Sequence, residues 1–249
     1  MSERPTRPRS TRLRSASAAR LAACAALAAS LALAAVAPAA AATGPAAAGV
    51  SWETARHTAS GGRTVALTFD DGPGPATLQV LDLLAQYGAK ATFCVVGDRV
   101  TADPAAVRRI VAEGHRLCDH SVDHPQPFAA LSPDEVYYQI TAARDMILQA
   151  AGPNTPISWF RAPGGQFNAV DRRMAADLGL RPLGWAVDPR DWSLPGTDKI
   201  VQSVQTRLHP GDVVLLHDGG GDRSQTVEAL KVLLPWLLAE GYGFDFPEV

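Results

Sequence analysis

Short runs rich in apolar and β-branched residues alternate with amphipathic stretches across residues 61–249, and this alternation is what most narrows the possible fold. The runs occupy 64–69, 91–96, 115–118, 158–161, 181–186, 213–217 and 242–246. Between them, 76–87, 104–112, 133–150, 169–178, 197–208 and 224–239 place apolar residues three and four apart, the spacing of one helix face. Strand then helix, repeated, predicts an α/β domain built on a parallel sheet. Nearly every residue with chemistry to offer falls just after a strand. A closed or partly closed barrel of parallel strands gathers such ends at one face, whereas an open doubly wound sheet gathers them only near a switch point. The placement therefore favours the barrel.

Residues 1–42 stand outside the pattern. Arg4, Arg7, Arg9, Arg12, Arg14 and Arg20 precede an Ala/Leu run over 21–36, and Ala-X-Ala sites end near Ala39 or Ala42, the layout of a secretory signal. A membrane span is the weaker reading, because the run is mostly Ala and shorter than the ~20 apolar residues a spanning helix needs. Cys24 stands at the start of that run, where a lipidation site would follow it. The expectation is a secreted, extracellular protein with no stable membrane insertion after cleavage. Residues 43–60 are small, polar and aperiodic and read as a linker, leaving a single domain over 61–249 that is large enough to bury a core. Removing residues 1–42, with six Arg and one Glu, takes the net charge from −2 to −7. Such a balance offers no footprint for nucleic acid or for anionic membranes and wall polymers, and neutral substrates suit it better, with a local basic groove as the alternative. Cys94 and Cys118 are the only cysteines past the leader, and in an exported chain they invite a disulfide, with two separate buried thiols as the alternative.

Two adjacent carboxylates, Asp70 and Asp71, close the first run, and His120 and His124 follow the third. Four apart, the imidazoles would face the same way on one helical turn, and Asp71 from another strand end would complete three metal ligands with an open position for water. Two imidazoles and a carboxylate suit zinc, with other divalent first-row ions such as cobalt, manganese or nickel as rivals. Consecutive side chains diverge, so Asp70 stays free to take a proton from water, and the Gly72-Pro73-Gly74-Pro75 turn aims both carboxylates. Arg161 leaves a strand into a Pro-Gly turn, where paired hydrogen bonds would hold Asp70 ionised and oriented. The backbone N–H of Gly164 would bind a developing oxyanion. His217 ends the sixth run, placed to protonate a leaving group, with Asp191 as the carboxylate that keeps it charged. His57, His115, His209, Trp52 and Trp159 read as solvated or packing residues, and Asp119, Asp123 and Asp218 have no ligand role. Taken together, the motifs point to metal-dependent hydrolysis.

In chain order, T-F-D-D-G (68–72), H-S-V-D-H (120–124), R-A-P-G-G (161–165), D-P-R-D-W (188–192) and L-L-H-D (215–218) form a set. It resembles the five motifs of the polysaccharide deacetylase family, also called the NodB-homology or carbohydrate esterase family 4 domain, over about residues 63–246. The resemblance implies a distorted (β/α) barrel, with Asp70 as general base, Asp71, His120 and His124 as metal ligands, and Arg161 steadying the base. It also implies His217 as general acid tuned by Asp191, with Trp192 and Leu215 lining a pocket for the acetyl methyl. The implied reaction removes N-acetyl groups from N-acetylglucosamine-containing polysaccharide, chitin oligomers or peptidoglycan, releasing acetate. An esterase removing O-acetyl groups from xylan would use the same residues, and a non-catalytic glycan-binding module with a structural metal is the reading from another class. One position departs from the family: the residue after Pro163 is often Tyr and here is Gly164, which keeps a backbone donor but removes a side-chain wall of the groove.

Overall fold

The computed structural model describes residues 49–249, so the expected leader and the first part of the expected linker lie outside the described residues. Strand β1 (Thr64–Gly72) is buried along almost its whole length, as its near-continuous apolar sequence requires of a parallel strand covered on both faces. It lies between β2 (Ala91–Val95) and β6 (Asp212–His217), and β3 (Arg116–Asp119), β4 (Ile157–Phe160) and β5 (Arg181–Pro182) continue outward from β2. The order is β5-β4-β3-β2-β1-β6, all pairs parallel, with the short β7 (Gly243–Phe244) against the start of β1. The sheet curls into a half-barrel whose two ends are bridged at one point, where Val187, just past β5, pairs with Val214 of β6. This is the expected barrel in its distorted form. Around it pack α1 (Thr77–Gln86), α2 (Gly97–Ala102), α3 (Pro104–Ala112), α4 (Pro133–Ala151), α5 (Ala169–Asp177), α6 (Thr197–Arg207) and α7 (Ser224–Ala239). None of these helices is long and apolar enough to cross a membrane.

The two-residue period of the strands sorts side chains into two layers. Val65, Leu67, Phe69, Phe93, Val95, Leu117, Phe160, Val214 and Leu216 face the helices and form the main core with them. Ala66, Cys94, Cys118, Trp159 and Val213 face inward and form a smaller cluster inside the curl. Extending each inward row by two or four residues reaches Thr68 and Asp70, His120, Arg161, and Leu215 and His217, so one parity rule delivers the polar residues to the open end of the barrel. Cys94 and Cys118 are cross-strand partners in this inner layer and are joined in a disulfide that closes a 24-residue separation. Replacing both by Ala is expected to lower the unfolding free energy by about 3 kcal/mol, measured as a fall in denaturant midpoint that reductant reproduces in the unaltered protein.

Where the elements differ from the sequence reading, tertiary contacts explain it. The run expected over 181–186 pairs as strand only at Arg181 and Pro182; beyond them Leu183 bridges Ala55 and Val187 bridges Val214. Helix α2 has no run of apolar periodicity to announce it, and Gly97 lets it approach α4 so closely that a Cβ there would lie 2.7 Å from Met146 Sδ. Within the expected linker, Ala55 is fully buried, His57 bridges Asp212 and Thr58 bridges Pro247, so residues 55–58 pack onto the domain. His115 is a buried structural residue whose Nδ1 accepts the Ala91 N–H at 3.2 Å; burial lowers its pKa to about 4.

Candidate active site

Asp70 and His217 are register partners on adjacent strands, and Asp70 also pairs with Cys94 of β2. The ladder then slips between Asp70 and Gly72, and Asp71 takes a left-handed backbone (φ 68°), yet an oxygen of each carboxylate reaches His120 Nε2, Asp70 at 3.6 Å and Asp71 at 3.4 Å. The glycines after His217 make room for this bulge. A Cβ at Gly219 would collide with the Asp71 carbonyl, and one at Gly220 with its carboxylate.

His120 and His124 do not share a helical turn, contrary to the expectation from their spacing. They stand on a loop with Ser121 at φ 70° and His124 at φ 61°, strained values for residues with a Cβ. Three side chains hold that loop: Asp119 accepts the Ser121 N–H at 2.9 Å, Ser121 Oγ accepts the His124 N–H at 3.1 Å, and Gln139 accepts the Val122 N–H at 2.8 Å. The rings end 5.0 Å apart. His120 Nδ1 lies 2.7 Å from the Arg161 carbonyl, which assigns the proton to Nδ1 and leaves Nε2 with its lone pair toward the aspartates.

Asp71, His120 and His124 each present one ligand atom, and the three atoms lie within 4.8 Å of one another. Asp71 Oδ1 is 3.4 Å from His120 Nε2 and 3.1 Å from His124 Nε2, yet it is buried without a well-directed hydrogen bond. An orphaned carboxylate oxygen between two imidazole nitrogens fits a divalent cation, and the donor set leaves room for further ligands. Burial alone would raise the Asp71 carboxyl, but the facing His120 and His124 hold it well below the usual carboxylate range. Burial likewise opposes charge on His120, and Asp70 and Asp71 outweigh it, raising the imidazole. The pocket is electrostatically set for positive charge.

Arg161 is fully buried, and Nη1 donates to Asp70 Oδ1 at 2.6 Å and to Thr68 Oγ1 at 2.9 Å. The expected pair of hydrogen bonds to Asp70 is a single one, because Nη2 donates to the Gly184 carbonyl at 2.8 Å and Nε to that of Leu183 at 3.4 Å. The guanidinium thus ties Asp70 to the backbone beyond β5. Opposite, Asp191 Oδ1 is 2.8 Å from His217 Nδ1, while its Oδ2 accepts the His217 N–H at 2.9 Å and the Thr226 hydroxyl at 2.8 Å. Burial pulls the His217 pKa down, but the Asp191 contact raises it above its ordinary 6.5. Nδ1 is engaged, so Nε2 is the atom available to a ligand.

Asp70, Asp71, His120, His124 and His217 line one cavity of about 460 Å³, with Arg161 and Asp191 buried behind them; Gly164, Trp192 and Leu215 stand on its walls, as do Gln126, Trp185 and Arg223, which motif reading missed. Thr68 and Thr226 were missed as well; Thr68 lies two residues before Asp70 on the same face, so strand parity alone would have found it. Asp119 and Asp218 brace loops; Thr77 Oγ1 donates to Asp218, and burial pushes the Asp218 carboxyl up to about 7.

Comparison with known proteins agrees with this geometry. The model of the family described as polysaccharide deacetylase matches residues 57–183. A chitooligosaccharide deacetylase from Bradyrhizobium sp. (strain ANU 289) is 43% identical over 195 residues, covering 74% of this chain and 88% of that protein. A peptidoglycan-N-acetylglucosamine deacetylase from Bacillus cereus is 41% identical over 204 residues, covering 78% and 89%. Among solved structures, a CE4 family pseudoenzyme from Bacillus anthracis superposes with a TM-score of 0.68 at 31% identity, covering 74% of this chain and 63% of that one, so this chain spans under two thirds of that longer protein. By family model, sequence identity and fold together, the chain belongs to the polysaccharide deacetylase family.

Proposed function

We propose that this chain is a secreted, metal-dependent N-deacetylase acting on N-acetylglucosamine-containing polysaccharide, with zinc at Asp71, His120 and His124. Because the family includes a pseudoenzyme, membership alone does not carry activity. What carries it is the complete set of reacting groups: Asp70 and His217, register partners beside the three donors, each fixed by its own buried counter-ion, Arg161 and Asp191.

A divalent ion at the three donors would polarise an acetyl carbonyl and acidify the attacking water. Asp70 takes the proton from that water as its oxygen bonds the carbonyl carbon. The C–N bond breaks as His217 Nε2 delivers its proton to the departing nitrogen, giving acetate and a free amino sugar. The Gly164 backbone, left-handed at φ 64° on the cavity wall, is the candidate oxyanion donor, and Leu215 and Trp192 flank the acetyl methyl.

Metal-stripped protein is expected to bind one equivalent of zinc and to release acetate from N-acetyl chitooligosaccharides or peptidoglycan, and His120→Ala to lose both. Greater acetate release from acetylated xylan would make it an O-acetyl esterase instead. Export is supported by the Arg-rich start and the Ala/Leu run that follows; sequencing the protein recovered from culture medium is expected to find its first residue just after Ala39 or Ala42.

A further inference from the structure

A second cavity of about 200 Å³ adjoins the first and shares Gly165 and Trp185 with it. Thr54, Arg56, Phe167, Arg172, Leu183 and Gly184 line its remainder. Arg56 arrives on the segment docked through the Ala55–Leu183 bridge, and Arg172 on α5, so the topology brings two distant guanidinium groups to one recess. Arg56 Nη1 donates to the Trp185 carbonyl at 3.0 Å, which fixes it at the shared wall. Arg172 lies 5.6 Å over the ring of Trp52, and the neighbouring Arg173 stacks on the same ring at 4.7 Å. Among the described residues, the arginine ion pairs involve Arg63, Arg109, Arg161 and Arg181, which leaves Arg56 and Arg172 without a carboxylate partner. In a chain that is −7 past its leader, two uncompensated guanidinium groups in a recess beside the reacting groups run against the overall charge.

Guanidinium forks match carboxylates in shape and charge. We infer that this recess is a carboxylate-binding subsite for an acidic substituent on the glycan strand whose acetamido group occupies the main cavity, an inference that presupposes the deacetylase reading. The substrate class it selects is a polymer in which N-acetylglucosamine alternates with a sugar whose carboxyl is free, as on peptidoglycan strands stripped of stem peptide, in preference to neutral chitin oligomers. Of the two alternatives that net charge left, this recess supplies the local basic groove, because a local pair of cations outweighs a distributed negative balance at contact range.

The test compares a peptidoglycan-derived tetrasaccharide with free lactyl carboxylates, the same oligomer with those carboxyls reduced to alcohols, and chitotetraose. The unaltered protein and the Arg172→Gln and Arg56→Gln/Arg172→Gln variants are assayed for acetate release and, by calorimetry, for Kd. Arg172 is a half-buried helix position with no hydrogen bond to lose, so its single variant stays informative if the double one is unstable. Each lost charge-assisted contact is expected to reduce kcat/KM and affinity for the carboxylated oligomer about tenfold, with a change within about twofold for the other two. Raising the salt concentration should shrink the preference in the unaltered protein, less in Arg172→Gln, and not in the double variant. Equal losses on all three oligomers, or no loss on the carboxylated one, would overturn the subsite. An arginine-dependent Kd preference without any acetate release would instead sink the deacetylase reading and leave the subsite standing.

Discussion

Asp70→Asn is expected to lower kcat for acetate release by about 10²–10⁴-fold, the range that a positioned general base supplies, while the protein still binds one equivalent of metal. The two readouts separate a base from a ligand. Asp70 Oδ2 lies 3.6 Å from His120 Nε2, hardly farther than the 3.4 Å of Asp71 Oδ1, so proximity alone does not distinguish the two carboxylates. Their partners do. Asp70 is held by a fully buried arginine and faces its own neighbour in the ladder, whereas the Asp71 oxygen between the imidazoles has no directed hydrogen bond. Loss of metal along with activity in Asp70→Asn would make Asp70 a ligand and leave the site without an assigned base.

Asp191→Asn is expected to be nearly as damaging, at about 10²–10⁴-fold in kcat, and to move the alkaline limb of the pH profile. In the proposed mechanism His217 must be protonated to serve the leaving nitrogen, so its contribution is present below its pKa and disappears as pH rises through that value. In the unaltered protein burial lowers that pKa and Asp191 foremost, together with Asp70 and Asp71, more than compensates, placing it above 6.5. With the carboxylate neutralised, burial is left with less opposition, and the alkaline limb shifts to lower pH. A uniform fall in kcat with an unmoved limb would mean that Asp191 serves only the packing of the Thr226 and His217 backbone contacts. The limb position is compared between the two proteins with the same metal bound, so the ion's own charge acts on both alike.

Much of the site was legible because strand parity is local. Thr68 and Asp70, Cys118 and His120, Trp159 and Arg161, and Leu215 and His217 are each two residues apart on strand ends, and a period of two carries them all to the inner face without knowledge of any distant contact. The histidine pair shows where local reasoning stops. A four-residue spacing suggested a helical turn, but the side chains of Asp119 and Gln139 hold the loop in left-handed conformations that propensity disfavours. Arg161 illustrates the same boundary from the donor side: its bonds to Leu183 and Gly184 depend on where the chain runs after β5, which no motif encodes.

The residues themselves determined the α/β alternation, the inward rows and the kinds of group available at the strand ends, because secondary-structure period and side-chain chemistry are properties of short stretches. The tertiary structure alone decided how many hydrogen bonds Arg161 gives Asp70, the bulge and left-handed backbone at Asp71, the conformation of the loop bearing His120 and His124, and the recess that unites Arg56 with Arg172. Each of these is set by packing between segments far apart in the chain, where the free energy of a contact depends on a partner that local sequence does not specify.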